Sequence, residues 1–111
     1  MKYALLIYSS GEGWDALSEQ EQQAIYGEYT AVSQSPGIYG GDQLAPANVA
    51  TTVRVKDGET LTTDGPFAET KESLGGYFLF EADNLDDAIA VAARIPAARM
   101  GGVEVRPIVE M

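Results

Sequence analysis

The sequence predicts an α+β domain, a ferredoxin-like sandwich carrying an added β-hairpin. Three observations predict it. The apolar periodicity changes along the chain in the order strand, helix, strands, helix, strand. The pair Asp57-Gly58 separates two β-prone runs, Ala50–Lys56 and Glu59–Thr63, which is the signal of a tight hairpin. The chain has 111 residues, one domain's worth with no room for a second.

Lys2–Tyr8 is apolar on both faces and reads as a buried strand. A polar loop, Ser9 to Asp15, holds the single Trp at position 14. Ser18-Glu19-Gln20-Glu21 fits a capping box, in which hydroxyl and carboxylate each satisfy an orphan backbone N–H. The first helix starts there, and its apolar side is Ile25, Tyr29 and Val32. Pro36-Gly37 stops it. Ile38–Leu44 reads as a short strand and Ala45-Pro46-Ala47 as a turn. The hairpin register sets Lys56 opposite Glu59, a small electrostatic gain. Leu74–Glu81 is again apolar on both faces. A second helix opens near Asp83/Asn84, with Leu85, Ala88, Ile89, Ala92 and Ile95 on one side and Asp86-Asp87 suiting its positive end. Pro96 ends it. The last strand, Val103–Val109, sets Val103, Val105 and Val109 against Glu104, Arg106 and Glu110.

Two helices cover one face of a sheet. Lys2–Tyr8 and Leu74–Glu81 are apolar on both faces, so the second face needs a cover that the chain itself lacks. A second copy of the same sheet is the simplest cover, giving a two-fold homodimer.

Composition narrows the chemistry by subtraction. The chain carries 7 Lys+Arg against 17 Asp+Glu, a formal net charge of -10, with no Cys and no His. There is no disulfide, thiolate nucleophile, His base or Ser–His–Asp triad, and proton transfer falls to carboxylates, Tyr, Lys or water. No residue set calls for a cofactor. An acidic calcium site lacks EF-hand spacing, so no metal site is assigned. Seven dispersed cations cannot neutralise a run of phosphates, which argues against nucleic acid and anionic membranes as partners. The apolar N-terminal run is too short for a signal h-region or a membrane helix, so a cytoplasmic location is expected.

One segment carries more information than the rest, Thr63-Asp64-Gly65-Pro66-Phe67-Ala68-Glu69-Thr70-Lys71-Glu72. Turn chemistry explains most of it: Asp64-Gly65-Pro66 reverses the chain, Phe67 plugs a gap and the ions stay solvated. The functional alternative is a loop at a pocket mouth. Asp64 would then supply a carboxylate, Gly65 and Pro66 a close backbone approach and Phe67 a wall. Lys71 would pair with Glu69 or bind an anion.

Asp64–Glu72, followed by Leu74-Gly75-Gly76-Tyr77, resembles the signature of the DGPF type within the YCII-related proteins. Tyr3-Ala4-Leu5-Leu6-Ile7-Tyr8, Thr51-Thr52-Val53-Arg54, Ala92-Ala93-Arg94-Ile95-Pro96-Ala97-Ala98-Arg99 and Val103-Glu104-Val105-Arg106-Pro107 extend the likeness over nearly the whole chain. The resemblance implies a dimeric α+β barrel and a small bacterial protein without an established activity. Related YCII proteins are suspected enzymes because of a His–Asp pair near a pocket. DGPF-type members are often encoded beside alternative sigma factors, which implies a regulatory role. This chain departs from that pattern. The helix position that carries a His in relatives matches Tyr29 here, and the first helix is about one turn shorter, ended by Ser35-Pro36-Gly37.

The remaining candidates each have a plain reading. Tyr29 is a core residue or a hydrogen-bond donor to a ligand. Asp42, after Gly40-Gly41, is a turn residue or a second pocket carboxylate, and it pairs with Asp64 for acid/base work only if the fold brings them together. Glu28 is a solvated helix residue or a third carboxylate on that rim. Tyr26 packs, and Trp14 packs or covers a pocket. Arg54 and Arg106 form ion pairs with the acidic excess. The expected function is a homodimer binding an unknown small molecule beside the Asp64 loop, with weak acid/base activity carried by Asp64, Asp42 or Tyr29. The alternative is a non-catalytic regulatory dimer acting through a protein partner such as an alternative sigma factor.

Overall fold

The computed structural model describes residues 1–68 and 70–110. Among them the chain runs β1 (Lys2–Ser9), α1 (Glu19–Ser33), β2 (Ile38–Gln43), a 3-10 turn (Ala47–Val49), β3 (Thr51–Lys56), β4 (Glu59–Asp64), β5 (Ser73–Glu81), α2 (Leu85–Ala92), α3 (Ala97–Met100) and β6 (Gly102–Pro107). Four strands form one sheet in the order β2-β5-β1-β6, and β3-β4 form a second, two-stranded sheet. Every pairing is antiparallel. The architecture is α+β and compatible with a ferredoxin-like sandwich.

Alternation along β1 builds the core. Tyr3, Leu5 and Ile7 turn to the helices and are buried, while Ala4, Leu6 and Tyr8 on the other face are only half-buried. β5 repeats this, with Phe78 and Phe80 buried and Tyr77 and Leu79 half-buried. Val32, Ala88, Ala92, Ile95 and Ala97 close the core from above. One apolar face is thus covered and the opposite one is not. Among the described residues no helix is long and apolar enough to cross a membrane.

The first helix begins as expected. Ser18 Oγ accepts from the Glu21 N–H at 3.1 Å, and Glu21 Oε1 accepts from the Ser18 N–H at 3.0 Å. These hydrogen bonds, the backbone one foremost, hold the Glu21 carboxyl below its ordinary value. The hairpin turns at Asp57 (φ 51°) and Gly58 (φ 80°), with Lys56 paired to Glu59. Both central residues are left-handed, the geometry that matches strand twist.

Three expectations are corrected. The second helix ends at Ala92, and Pro96 is the N-cap of the short α3. A ring with fixed φ suits a helix start as well as a stop. Leu85 and Ile89 are about half exposed, because the buried stripe is Ala88, Ala92 and Ile95, small enough at two positions to let α2 approach the sheet. Val109 is 79% exposed, since β6 stops at Pro107.

The hairpin stands off as an arm. Every side chain of β3 and β4 is exposed except Thr52, which is half-buried. The radius of gyration is 15.9 Å, where a compact chain of this length has about 13 Å.

Ser18→Ala is expected to lower stability by about 1 kcal/mol in chemical denaturation. Glu21's share is present above its ordinary value of 4.5 and lost as the pH falls through its lowered folded-state value. The Ser18→Ala difference should therefore shrink in acid. Phe80→Ala should cost about 3–5 kcal/mol, measured the same way.

Candidate functional site

α1 meets the core at its C-terminal half, where Val32 is its one fully buried residue. Toward its N-terminus the helix stands off the sheet. Gln22 fills that side, and its Nε2 donates to the Trp14 carbonyl at 2.9 Å, tying the loop after β1 to the helix. The space left is a cleft of about 770 Å³ between α1, the ends of β1 and β2 and the start of β5. That size lies within the range of small-molecule sites.

Ile7 and Phe78 form its floor and Ile25, Tyr26 and Tyr29 its roof. Trp14 and Tyr26, both lining it, meet edge to face with ring centroids 5.3 Å apart. Asp42 borders it on the edge strand β2, with its side chain on the Tyr77 face of the sheet. The Tyr77 hydroxyl, on the paired position of β5, lies 3.4 Å from Asp42 Oδ2 in a loose donation. Gly41 makes this edge possible. It has φ 148°, and a Cβ there would sit 2.5 Å from the Tyr77 carbonyl oxygen.

Tyr29 is half-buried and packs against the core. Burial pushes its phenol up, opposed by a hydrogen bond with the Ala97 backbone and by the Arg99 charge. It is a neutral hydroxyl at working pH. Glu28 is no rim carboxylate. It takes Arg99 Nη2 at 2.6 Å and fastens α3 to α1. Both partners are about half exposed, so the pair orients more than it stabilises.

The Asp64 segment lies elsewhere. Asp64 is the last residue of β4, opposite Thr51. The Gly65 N–H donates to the Ala50 carbonyl at 2.7 Å, and the Thr52 hydroxyl donates to the Gly65 carbonyl at 2.8 Å. Phe67 is 73% exposed, with the Arg54 guanidinium 4.6 Å from its ring centroid. Arg54 thus stacks on an aromatic face, while Arg106 pairs with Glu104. Lys71 is exposed, and Glu69 lies outside the described residues. None of Asp64, Gly65, Pro66, Phe67 or Lys71 lines the cleft. Its borders are nonetheless close in the chain, because Ala47 before the arm and Ser73 after it both line the cleft.

Tyr29 lines the cleft from the helix side, whereas the Asp42 carboxylate turns with Tyr77 to the uncovered face of the sheet, and Asp42 and Asp64 stand on different sheets. Sequence reading passed over Leu44–Ala47, Ser73 and Met100 as site residues. The available signal was Gly40-Gly41, two residues without side chains at the end of a short strand. Among the described residues no group of three or more carboxylates gathers to hold a metal. The chemistry on offer in the cleft is a neutral phenol donor and aromatic walls.

The chain matches the YCII-related domain across residues 1–111. It is 36% identical over 115 residues to the uncharacterized protein R00369 of Rhizobium meliloti (strain 1021), covering 97% of this chain and 92% of that protein.

Ultraviolet titration should show Tyr29 ionising above the ordinary phenol value of 10.0, a contribution that Tyr29→Phe removes. Because the folded-state value is raised, the neutral phenol is favoured by folding. Stability linked to Tyr29 is intact below 10.0 and falls as the pH rises beyond it.

Proposed function

The chain belongs to the YCII-related family, and from that premise we propose that it is a homodimer that binds a small molecule in the cleft beneath α1. The cleft itself carries the reading: a concavity of about 770 Å³ with aromatic walls and a neutral phenol. Weak acid/base activity at this place draws on Tyr29 as donor. Asp42 borders the cleft at the edge strand, and Asp64 stands at the base of the arm, outside it. Within the family we assign the chain to the DGPF type on Asp64-Gly65-Pro66-Phe67 and its flanks.

Surface area supports the dimer. The chain exposes 7754 Å², against roughly 5,900 Å² for a compact monomer of its size. The excess exceeds the roughly 800 Å² per partner of a standard interface. The uncovered face of β1 and β5 and the arm are where it lies. A second reading, a regulatory dimer that engages a protein such as an alternative sigma factor, is favoured by one observation. The arm presents Val53, Val55 and Phe67 to solvent.

A thermal-shift screen with small metabolites should raise the melting temperature for a defined chemical group of compounds. Tyr29→Phe should leave the oligomer intact and reduce the shift, and Asp64→Ala, outside the cleft, should change neither. A library without any stabilising compound, or an unchanged shift in the Tyr29 variant, would refute the ligand reading. Light scattering should give a dimer, and Leu79→Glu a folded monomer. A monomeric wild type would refute the assembly. Under the second reading, Val53→Asp with Val55→Asp abolishes a complex with purified sigma factor and leaves the metabolite shift unchanged.

A further inference from the structure

We propose that the arm is a clasp, which in the dimer lies on the second copy of this chain through its uncharged face. The inference rests on the homodimer read above and names a surface that joins the two copies.

The register gives the arm two unlike faces. Val53 stands opposite Thr62 and Val55 opposite Thr60, so these four share one face, and none of them is ionised. Arg54 opposite Leu61 and Lys56 opposite Glu59 share the other face with Thr52 and Thr63. A hairpin belonging to a monomer turns its ionised face to water and its apolar face to its own chain. This arm does the reverse. The Thr52 hydroxyl donates to the Gly65 carbonyl at 2.8 Å, and the Arg54 guanidinium lies 4.6 Å from the Phe67 ring centroid. Residues 65–67 therefore fold back on the charged face. On the other face Val53 is 59% and Val55 71% exposed, with Thr60 and Thr62 exposed beside them. Among the described residues β3 and β4 pair only with each other. Two strands packed on nothing are marginal in water, so the bare face needs a surface to lie on.

That surface has to suit an acidic chain. Two copies of formal charge -10 repel wherever their carboxylates meet, and they join only through patches without charge. The bare face of the arm is one such patch. The centre of the uncovered sheet face, with Ala4, Leu6, Tyr77 and Leu79, is another. A basic partner would be drawn to the carboxylates instead. Shape and area agree with a second copy. The molecule measures 45 × 42 × 19 Å, and its smallest extent is the depth of one sheet layer and one helix layer. The arm thus runs sideways from the two layers, and the described residues leave the sheet face open. A copy stacked there by a two-fold axis has its margin beside the arm, and the symmetry makes the clasp reciprocal. The area exposed beyond that of a compact monomer is more than twice the roughly 800 Å² that each partner gives to a standard interface. Sheet face and arm are both accommodated in it.

The test labels the arm of the full-length protein, which has no cysteine of its own. Val55→Cys carries a nitroxide, and electron paramagnetic resonance reads its mobility. The label is expected to be held at concentrations where light scattering gives a dimer. It should be freed in the Leu79→Glu background and, should that variant not fold, on dilution to monomer. Val53→Asp should raise the dissociation constant of the dimer roughly tenfold or more. Lys56→Ala, an equal change of charge on the opposite face, should leave it unchanged. A label equally mobile in dimer and monomer, or equal dissociation constants for the two variants, overturns the clasp and leaves the dimer standing. A label held in the monomer too places the arm on its own chain and overturns the clasp. So does a label held only when another protein is added. A wild type that is monomeric at every concentration overturns both readings.

Discussion

The antiparallel pairing of β1 with β5 is the constraint on which the rest of the molecule depends. It aligns Tyr3 with Phe80 and Leu5 with Phe78, so that one alternation on each strand points the large side chains to the same side. Helices α1, α2 and α3 then have a single apolar surface to cover. A slip of one residue would send Tyr3, Leu5 and Ile7 to the opposite face, so the register is strongly specified. The same alternation leaves Ala4, Leu6, Tyr77 and Leu79 together on the other side. The core and the uncovered face are two outcomes of one register.

The cleft follows from how α1 lies on that core. Val32 is the one fully buried residue of the helix, and Ile25 and Tyr26 on its N-terminal half line the cleft. Gln22 bonds to the Trp14 carbonyl, which holds the loop under the helix and turns Trp14 toward Tyr26. Across the cleft, Gly41 lets β2 come against the Tyr77 backbone, and Asp42 is carried to the rim.

What the sequence announces clearly is local chemistry. Ser18 and Glu21 form a reciprocal cap within four residues, and Asp57-Gly58 dictates a turn within two. Both could be read without knowing the fold. The strands were readable because their apolar runs are long for their period. Pro96 misled because proline suits both ends of a helix, and only the placement of Ala97 against the core decides between them. Leu85 and Ile89 misled because a helical stripe is wider than the strip of sheet that receives it. The site was readable only in part. Tyr29 and Asp42 were candidates as separate residues, and the β2·β5 pairing across 35 residues of chain, which sets the Asp42 carboxylate beside Tyr77, decides that they face apart. Asp64 drew notice through turn-forming neighbours, which speak of the arm's base more than of the cleft.

β1 also has a consequence for synthesis. Its two neighbours, β5 and β6, both follow it by more than sixty residues, and its far end is fastened by the Ile108 N–H to the Lys2 carbonyl at 2.8 Å. On the ribosome β1 emerges before either neighbour and waits with both edges bare. The helix α1 and the arm can form as they appear, since their contacts are local, but the central sheet cannot close until residues 73–107 have been made. Until then the unpaired edges of the apolar segment Lys2–Ser9 are the part of the nascent chain most open to pairing with another chain.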